Sequence, residues 1–183
     1  MLTLILGGAR SGKSRLAQRL AVPARRVSYV ATAQAGDDPE MAARIEQHRA
    51  GRSPSWRTIE EPLALAEAVD RAASEADAIL VDCLTIWLSN LFWEHRDGKQ
   101  QQVEDAARIE LQRITTSASH CHVILVPNEL GCGTIPEPAV TRALRDTQGL
   151  LNQWAAEAAN EVILTVAGLP LYLKTAPHRE DAQ

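Results

Sequence analysis

The apolar run Leu2-Thr3-Leu4-Ile5-Leu6 breaks directly into Gly7-Gly8-Ala9-Arg10-Ser11-Gly12-Lys13-Ser14, and helical spacing follows to Ala21. A buried strand that turns through a glycine-rich loop into a helix allows few folds. The G-x-x-x-x-G-K-S spacing from Gly7 to Ser14 is that of a phosphate-binding loop. Gly7, Gly8 and Gly12 have no Cβ, so the backbone can curl and aim its N–H groups at phosphate oxygens. Lys13 supplies a point charge for the outer phosphates, and Ser14 a hydroxyl for Mg²⁺. The N-terminus of the following helix adds its positive dipole end. A glycine turn that binds nothing leaves the Gly-Lys-Ser ending without a reason.

Further apolar runs alternate with helical patterns. Val27–Thr32, Ala78–Asp82, Val123–Pro127 and Val162–Val166 read as strands too apolar for one-sided exposure, which suits the middle of a parallel sheet. Helical spacing covers Pro39–Ala50, Leu63–Ser74, Thr85–His95, Val103–Ser119 and Thr141–Ala159. Asp38-Pro39 supplies an N-cap followed by proline at the first helical position. Trp56–Ile59 reads as a short extra strand, and Val162–Val166 with Leu171–Lys174 as a hairpin joined through Gly168 and Pro170. The alternation predicts a three-layer α/β fold around a mainly parallel sheet, with ligands at the carboxyl ends of its strands. Residues 1–174 read as one domain and 175–183 as a frayed polar tail.

A net charge of −4, with both signs interspersed over 183 residues, argues against a nucleic-acid surface. Cys83, Cys121 and Cys132 are odd in number and lack C-x-x-C spacing, which suits reduced thiols in a cytoplasm. Neither a leader-like pattern nor an apolar stretch of about 18 residues is present. The expectation is a soluble cytoplasmic protein with no membrane span.

Asp82 ends a hydrophobic strand, where a carboxylate can hold Mg²⁺ opposite Ser14 or simply cap the helix that follows. His48 shares a helix face with Met41 and Ile45, which points it toward something packed. Arg49 and Arg52 lie close by and suit phosphate. A neutral imidazole is a competent nucleophile toward phosphorus, yet a histidine on an apolar face also serves structure; spacing leaves both open. His120 and His122 flank Cys121 just before a strand, and alternation points both to one side, as a metal pair would need, but no third ligand is evident. Asn128-Glu129, before Gly131-Cys132-Gly133, stands where substrate contacts or a lid belong, or forms a polar turn. Glu60 and Glu61 are open to a ribose or base contact, or to solvent.

Seven segments in order carry a family resemblance: GGARSGKS at Gly7–Ser14, YVATAQ at Tyr29–Gln34, DDPEMAARIEQHRAGR at Asp37–Arg52, WRTIEEP at Trp56–Pro62, ILVDCLTIWLSNL at Ile79–Leu91, NELGCGTIPE at Asn128–Glu137 and RDTQGLLNQ at Arg145–Gln153. Together they resemble the bifunctional adenosylcobinamide kinase / adenosylcobinamide-phosphate guanylyltransferase family of cobalamin biosynthesis. The resemblance implies a P-loop NTPase fold of RecA-like type and a homotrimer. It implies two reactions. ATP or GTP phosphorylates adenosylcobinamide; GTP then guanylylates a histidine, which passes GMP to adenosylcobinamide phosphate to give adenosylcobinamide-GDP. The family's histidine falls on His48. Its nucleotide-binding positions fall on Gly7, Gly8, Ala9, Arg10, Ser11, Gly12, Lys13 and Ser14, on Thr32, Ala33 and Gln34, on Arg49, Ala50, Gly51 and Arg52, and on Glu60 and Asp82. Asp82 stands where a glutamate is common, and Pro127 where a small hydroxyl residue is often seen. The competing readings are a P-loop kinase of another small molecule without guanylyl transfer, and a non-enzymatic nucleotide-dependent switch.

Overall fold

The computed structural model describes residues 1–36 and 38–175, so most of the expected tail, 176–183, lies outside the described residues. In chain order the elements are β1 (Leu2–Leu6), α1 (Lys13–Ala21), β2 (Val27–Ala31), α2 (Pro39–Ala50), β3 (Arg57–Glu60), α3 (Leu65–Ala73), β4 (Ala78–Asp82), α4 (Leu84–Glu94), α5 (Gln100–Ser117), β5 (His122–Val126), α6 (Ala139–Ala158), β6 (Glu161–Val166) and β7 (Leu169–Lys174). The described strands form one sheet in the order β3-β2-β4-β5-β1-β6-β7, parallel throughout except for the β6–β7 pair. This is the expected α/β architecture.

Alternation along the strands feeds two apolar layers. Leu2, Leu4, Ile79, Val81, Val123 and Leu125 face one side, where they pack against Leu65, Val69, Trp87, Leu111, Leu151 and their neighbours on α3 to α6. Ile5, Tyr29, Leu80, Ile124 and Ile163 face the other side, against Leu16, Ala17 and Ala21 of α1. The layers are unequal: four helices cover one face, whereas α2, near the second, buries none of its residues. Burial of the central strands on both faces explains their unbroken apolar runs.

Helix α2 begins where the sequence indicates. Asp38 Oδ1 accepts from Glu40 N at 2.9 Å and from Met41 N at 3.3 Å, with Pro39 opening the helix. The C-terminal hairpin differs from expectation. Ala167 and Gly168 make its turn, with φ of 52° and 82°, and Pro170 lies within β7, paired with Thr165. Two consecutive positive φ values match the twist of a tight hairpin, and an edge strand tolerates a proline that cannot donate.

The order of the strands sets the site. β1 ends in the glycine loop and β4 ends in Asp82, with β5 between them. The chain runs from β1 to β2 on one side of β1 and from β5 to β6 on the other, so β1, β5, β4 and β2 present their carboxyl ends along one edge of the sheet, the place for a ligand crevice in such a fold.

Candidate active site

The loop after β1 is held from three sides. Gly7 O accepts from Glu129 N at 3.0 Å, Ser11 O accepts from Gly168 N at 2.8 Å, and Gly8 O accepts from Lys13 Nζ at 2.9 Å. Arg10 and Gly12 take positive φ values of 56° and 97°. A Cβ on Gly7 would stand 2.4 Å from Ser11 Oγ and 2.7 Å from Thr165 O. Close approach therefore requires glycine there. Lys13, at the start of α1, is buried; that burial lowers its ammonium pKa, and Cys83 and Asp82 oppose the shift. The carboxylate of β4 thus acts on the lysine of the loop. Ala9 and Arg10 form the exposed tip, and Ser14 is half-buried in the first turn of α1.

Asp82 does not cap α4. Cys83 occupies the N-cap position, and the Asp82–Cys83 peptide is cis. Tyr29 Oη donates to Asp82 Oδ2 at 2.9 Å. Burial, and the negative charge of Asp82, push the Tyr29 phenol far above its ordinary range, so it stays a donor. Cys83 is pushed up to about 12, chiefly by burial, and its thiol is therefore inert. Thr32 is buried; its Oγ1 donates to Cys83 O at 2.8 Å and accepts from Cys83 N at 3.1 Å, tying the end of β2 to the end of β4. Ala33 and the exposed Gln34 follow at the rim.

His48 is not packed. Its side chain is 49% exposed, and Nδ1 faces Asp82 Oδ2 across 3.9 Å. The apolar face of α2 is too weak to bury anything, because Met41 and Ile45 are its only large apolar side chains. Arg49 pairs with Glu46 and with Glu60; these two carboxylates hold its guanidinium pKa above the usual value. Ala50 and Gly51 end the helix. Arg52 lies over the Tyr29 ring, 3.5 Å from its centroid, with Nε and Nη1 buried and without a hydrogen-bond partner. A cavity of about 420 Å³ opens beside it, lined by Arg49, Arg52, Trp56, Thr58 and Glu60 among others.

Other residues singled out in the sequence turn elsewhere. Glu61 Oε1 accepts from Leu63 N and Ala64 N at the entry to α3. Glu129 closes its own turn by accepting from Gly131 N and Cys132 N; the Cys132 thiol first, and then these amides, lower its pKa. His122 opens β5, and its Nε2 meets Thr3 Oγ1 at 2.9 Å near the amino ends of the strands; the exposed His120 precedes β5, as expected. Among the described residues no group of three or more His, Cys, Asp or Glu could hold a metal ion.

Sequence reasoning missed two contributors. The hairpin turn at Gly168 props the glycine loop although it is distant along the chain. Tyr29 joins Asp82 to Arg52. A tyrosine among apolar strand residues, ahead of a rim loop, was the available signal, since a buried hydroxyl needs a partner.

Ser14 and Asp82 offer hard oxygen donors, one hydroxyl and one carboxylate. Such a partial set, completed by substrate phosphates and water, fits Mg²⁺.

The chain is similar to several known proteins. A prototypical ATPase from the type III secretion system of pathogenic bacteria is similar in fold, with a TM-score of 0.57 at 11% identity, over 93% of this chain and 56% of that one. The bifunctional adenosylcobalamin biosynthesis protein CobP of Pseudomonas aeruginosa is 47% identical over 97% of this chain and 99% of its own. The corresponding protein CobU of Escherichia coli K12 is 41% identical over 95% of this chain and all of its own length. Residues 3–173 match the cobinamide kinase / cobinamide phosphate guanyltransferase family, and the chain belongs to that family.

Proposed function

We propose that this protein performs both transfers of its family around the single crevice at the carboxyl ends of β1, β5, β4 and β2. The observation that carries the reading is the meeting of Lys13, Asp82 and His48, from three separate elements, at one sheet edge. In the first step a nucleoside triphosphate lies in the loop formed by Gly7, Gly8, Ala9, Arg10, Ser11, Gly12, Lys13 and Ser14. Its outer phosphates meet the loop amides and the Lys13 ammonium, and the hydroxyl of adenosylcobinamide accepts the γ-phosphoryl group. Positioning and charge neutralisation do most of this work. Mg²⁺ held by Ser14 and Asp82 would neutralise charge on the phosphate oxygens.

In the second step the lone pair of His48 attacks the α-phosphorus of GTP, and the P–O bond to pyrophosphate breaks. Asp82 beside Nδ1 favours the tautomer protonated there, which leaves Nε2 as the nucleophile. Arg49 and Arg52, with Ala50 and Gly51 between them, meet the charge on departing pyrophosphate. A phosphate oxygen of adenosylcobinamide phosphate then attacks phosphorus, the N–P bond breaks, and adenosylcobinamide-GDP leaves with the imidazole restored. Two in-line displacements retain configuration at phosphorus. Thr32, Ala33 and Gln34 at the rim, and Glu60 in the cavity, complete the nucleotide contacts.

The residue assignments have one direct test. Protein incubated with α-labelled GTP and Mg²⁺, then denatured, retains acid-labile and alkali-stable label, and His48→Ala retains none. Absence of label, with kinase activity intact, would reduce the protein to its first step.

The reading extends to assembly and setting. We infer one domain over 1–174, a homotrimer, small-molecule substrates rather than nucleic acid, and a cytoplasmic location. The apolar edge strand β7, with Leu169, Leu171 and Leu173 exposed, supports burial against another copy. Three free cysteines support a reducing compartment. Sedimentation equilibrium tests the trimer.

A further inference from the structure

Tyr29 touches both Asp82 and Arg52. It lies on β2 opposite Leu80 of β4, with Ala31 opposite Asp82. Tyr29 and Asp82 therefore point to the same face of the sheet as diagonal neighbours, a separation a tyrosine can span. The ring is 1% exposed, wedged in the apolar layer beneath α1, so its position is fixed by packing. Its hydroxyl engages Asp82 Oδ2, and its face carries the Arg52 guanidinium. Arg52 keeps buried, unpartnered Nε and Nη1 groups. An aromatic face can hold a guanidinium without consuming its N–H donors, whereas a carboxylate partner would occupy them.

We propose that Tyr29 is a positioning residue for both transfers: its hydroxyl fixes the Asp82 carboxylate, and its ring carries Arg52 with the Nε and Nη1 donors free for a nucleotide phosphate. The inference rests on the nucleotide roles proposed above for Asp82 and Arg52. Two substitutions separate the halves. Tyr29→Phe keeps the ring and removes only the donor. It is expected to leave the Kd for GTP, measured by calorimetry, within about twofold of wild type, while kcat for both transfers falls about tenfold with KM unchanged. Tyr29→Leu also removes the face under Arg52, and is expected to weaken GTP binding about tenfold. In a double-mutant cycle, adding Arg52→Ala to Tyr29→Leu then costs less than about a further twofold, because the two act as a unit.

A purely structural tyrosine gives a different pattern. Both variants would melt earlier yet keep wild-type kcat and Kd well below their melting temperatures, and that result overturns the proposal. Additivity of Tyr29→Leu and Arg52→Ala in Kd overturns the ring half. If Tyr29→Leu does not fold, Tyr29→Phe with unchanged kcat overturns the proposal alone, and a fall in kcat at constant KM sustains it. Failure of wild-type protein to accept label from GTP would count against the proposed guanylyl transfer instead, and the binding measurements on Tyr29 and Arg52 would still decide this question.

Discussion

Nδ1 of His48 on α2 stands 3.9 Å from Oδ2 of Asp82 at the end of β4. The spacing is too long for a hydrogen bond and short enough for the carboxylate to orient the ring. The helix that carries His48 is anchored by polar contacts at its C-terminal end rather than by apolar burial. The histidine is thus presented at the sheet edge, with its other nitrogen unpartnered among the described residues.

Substitution of that histidine should divide the two activities. In His48→Ala, guanylyl transfer should fall by about 10⁴-fold, the scale of removing a nucleophile. Kinase activity should change by less than about tenfold, because the phosphate contacts proposed for Lys13 and the glycine loop remain. Separate assays with labelled ATP and with α-labelled GTP check this. Equal loss of both in a folded variant would mean that His48 is not specific to the second step.

Burial of the Lys13 ammonium costs the fold stability. Its burial makes the charged form unfavourable, so its folded pKa lies below the ordinary 10.5. Between those two values the unfolded chain binds more protons, and stability rises with pH across that window. Lys13→Met removes this term. The variant should melt a few degrees higher than wild type near neutral pH, with the gap narrowing as pH approaches the ordinary lysine value. Its kinase activity should fall by at least about 10²-fold. Scanning fluorimetry without nucleotide, at several pH values, tests the sign.

The three loop glycines should differ in cost. Gly7→Ala drives Cβ into Ser11 Oγ and the Thr165 carbonyl, so backbone must shift, at about 2–3 kcal/mol. Gly12→Ala meets φ of 97° and the Cα of Gly168 at 3.0 Å, at about 1–2 kcal/mol. Nothing lies within 4 Å of a Cβ on Gly8, so Gly8→Ala should change stability by less than about 0.5 kcal/mol. Urea unfolding ranks them. A Gly8→Ala as damaging as Gly7→Ala would contradict the loop geometry.

Cys132 reports on the Glu129 turn. Glu129 beside it raises its thiol pKa, first through the hydrogen bond and then through charge. Glu129→Gln should raise the thiolate fraction, so alkylation of Cys132 at pH 8 should speed several-fold. Cys83 should stay unmodified in both forms. Mass spectrometry after timed iodoacetamide treatment reads both sites. Unchanged Cys132 labelling would mean that the turn is not closed by Glu129.

The sequence alone determined the glycine loop, the strand ending in Asp82, the helix opened by Asp38-Pro39 and the parallel α/β plan. These are short-range signals: backbone sterics, capping and the periodicity of burial all act within a few residues. The sequence did not determine which strands are neighbours, since apolar runs buried on both faces look alike. Tertiary structure decided that β5 lies between β1 and β4, that Gly168 props the loop, and that Tyr29 reaches both Asp82 and Arg52. It also decided that His48 is exposed beside Asp82, although its helix spacing pointed to packing. Each of these depends on contacts between segments distant along the chain. No local pattern records such contacts, because they are selected by how the layers close over one core.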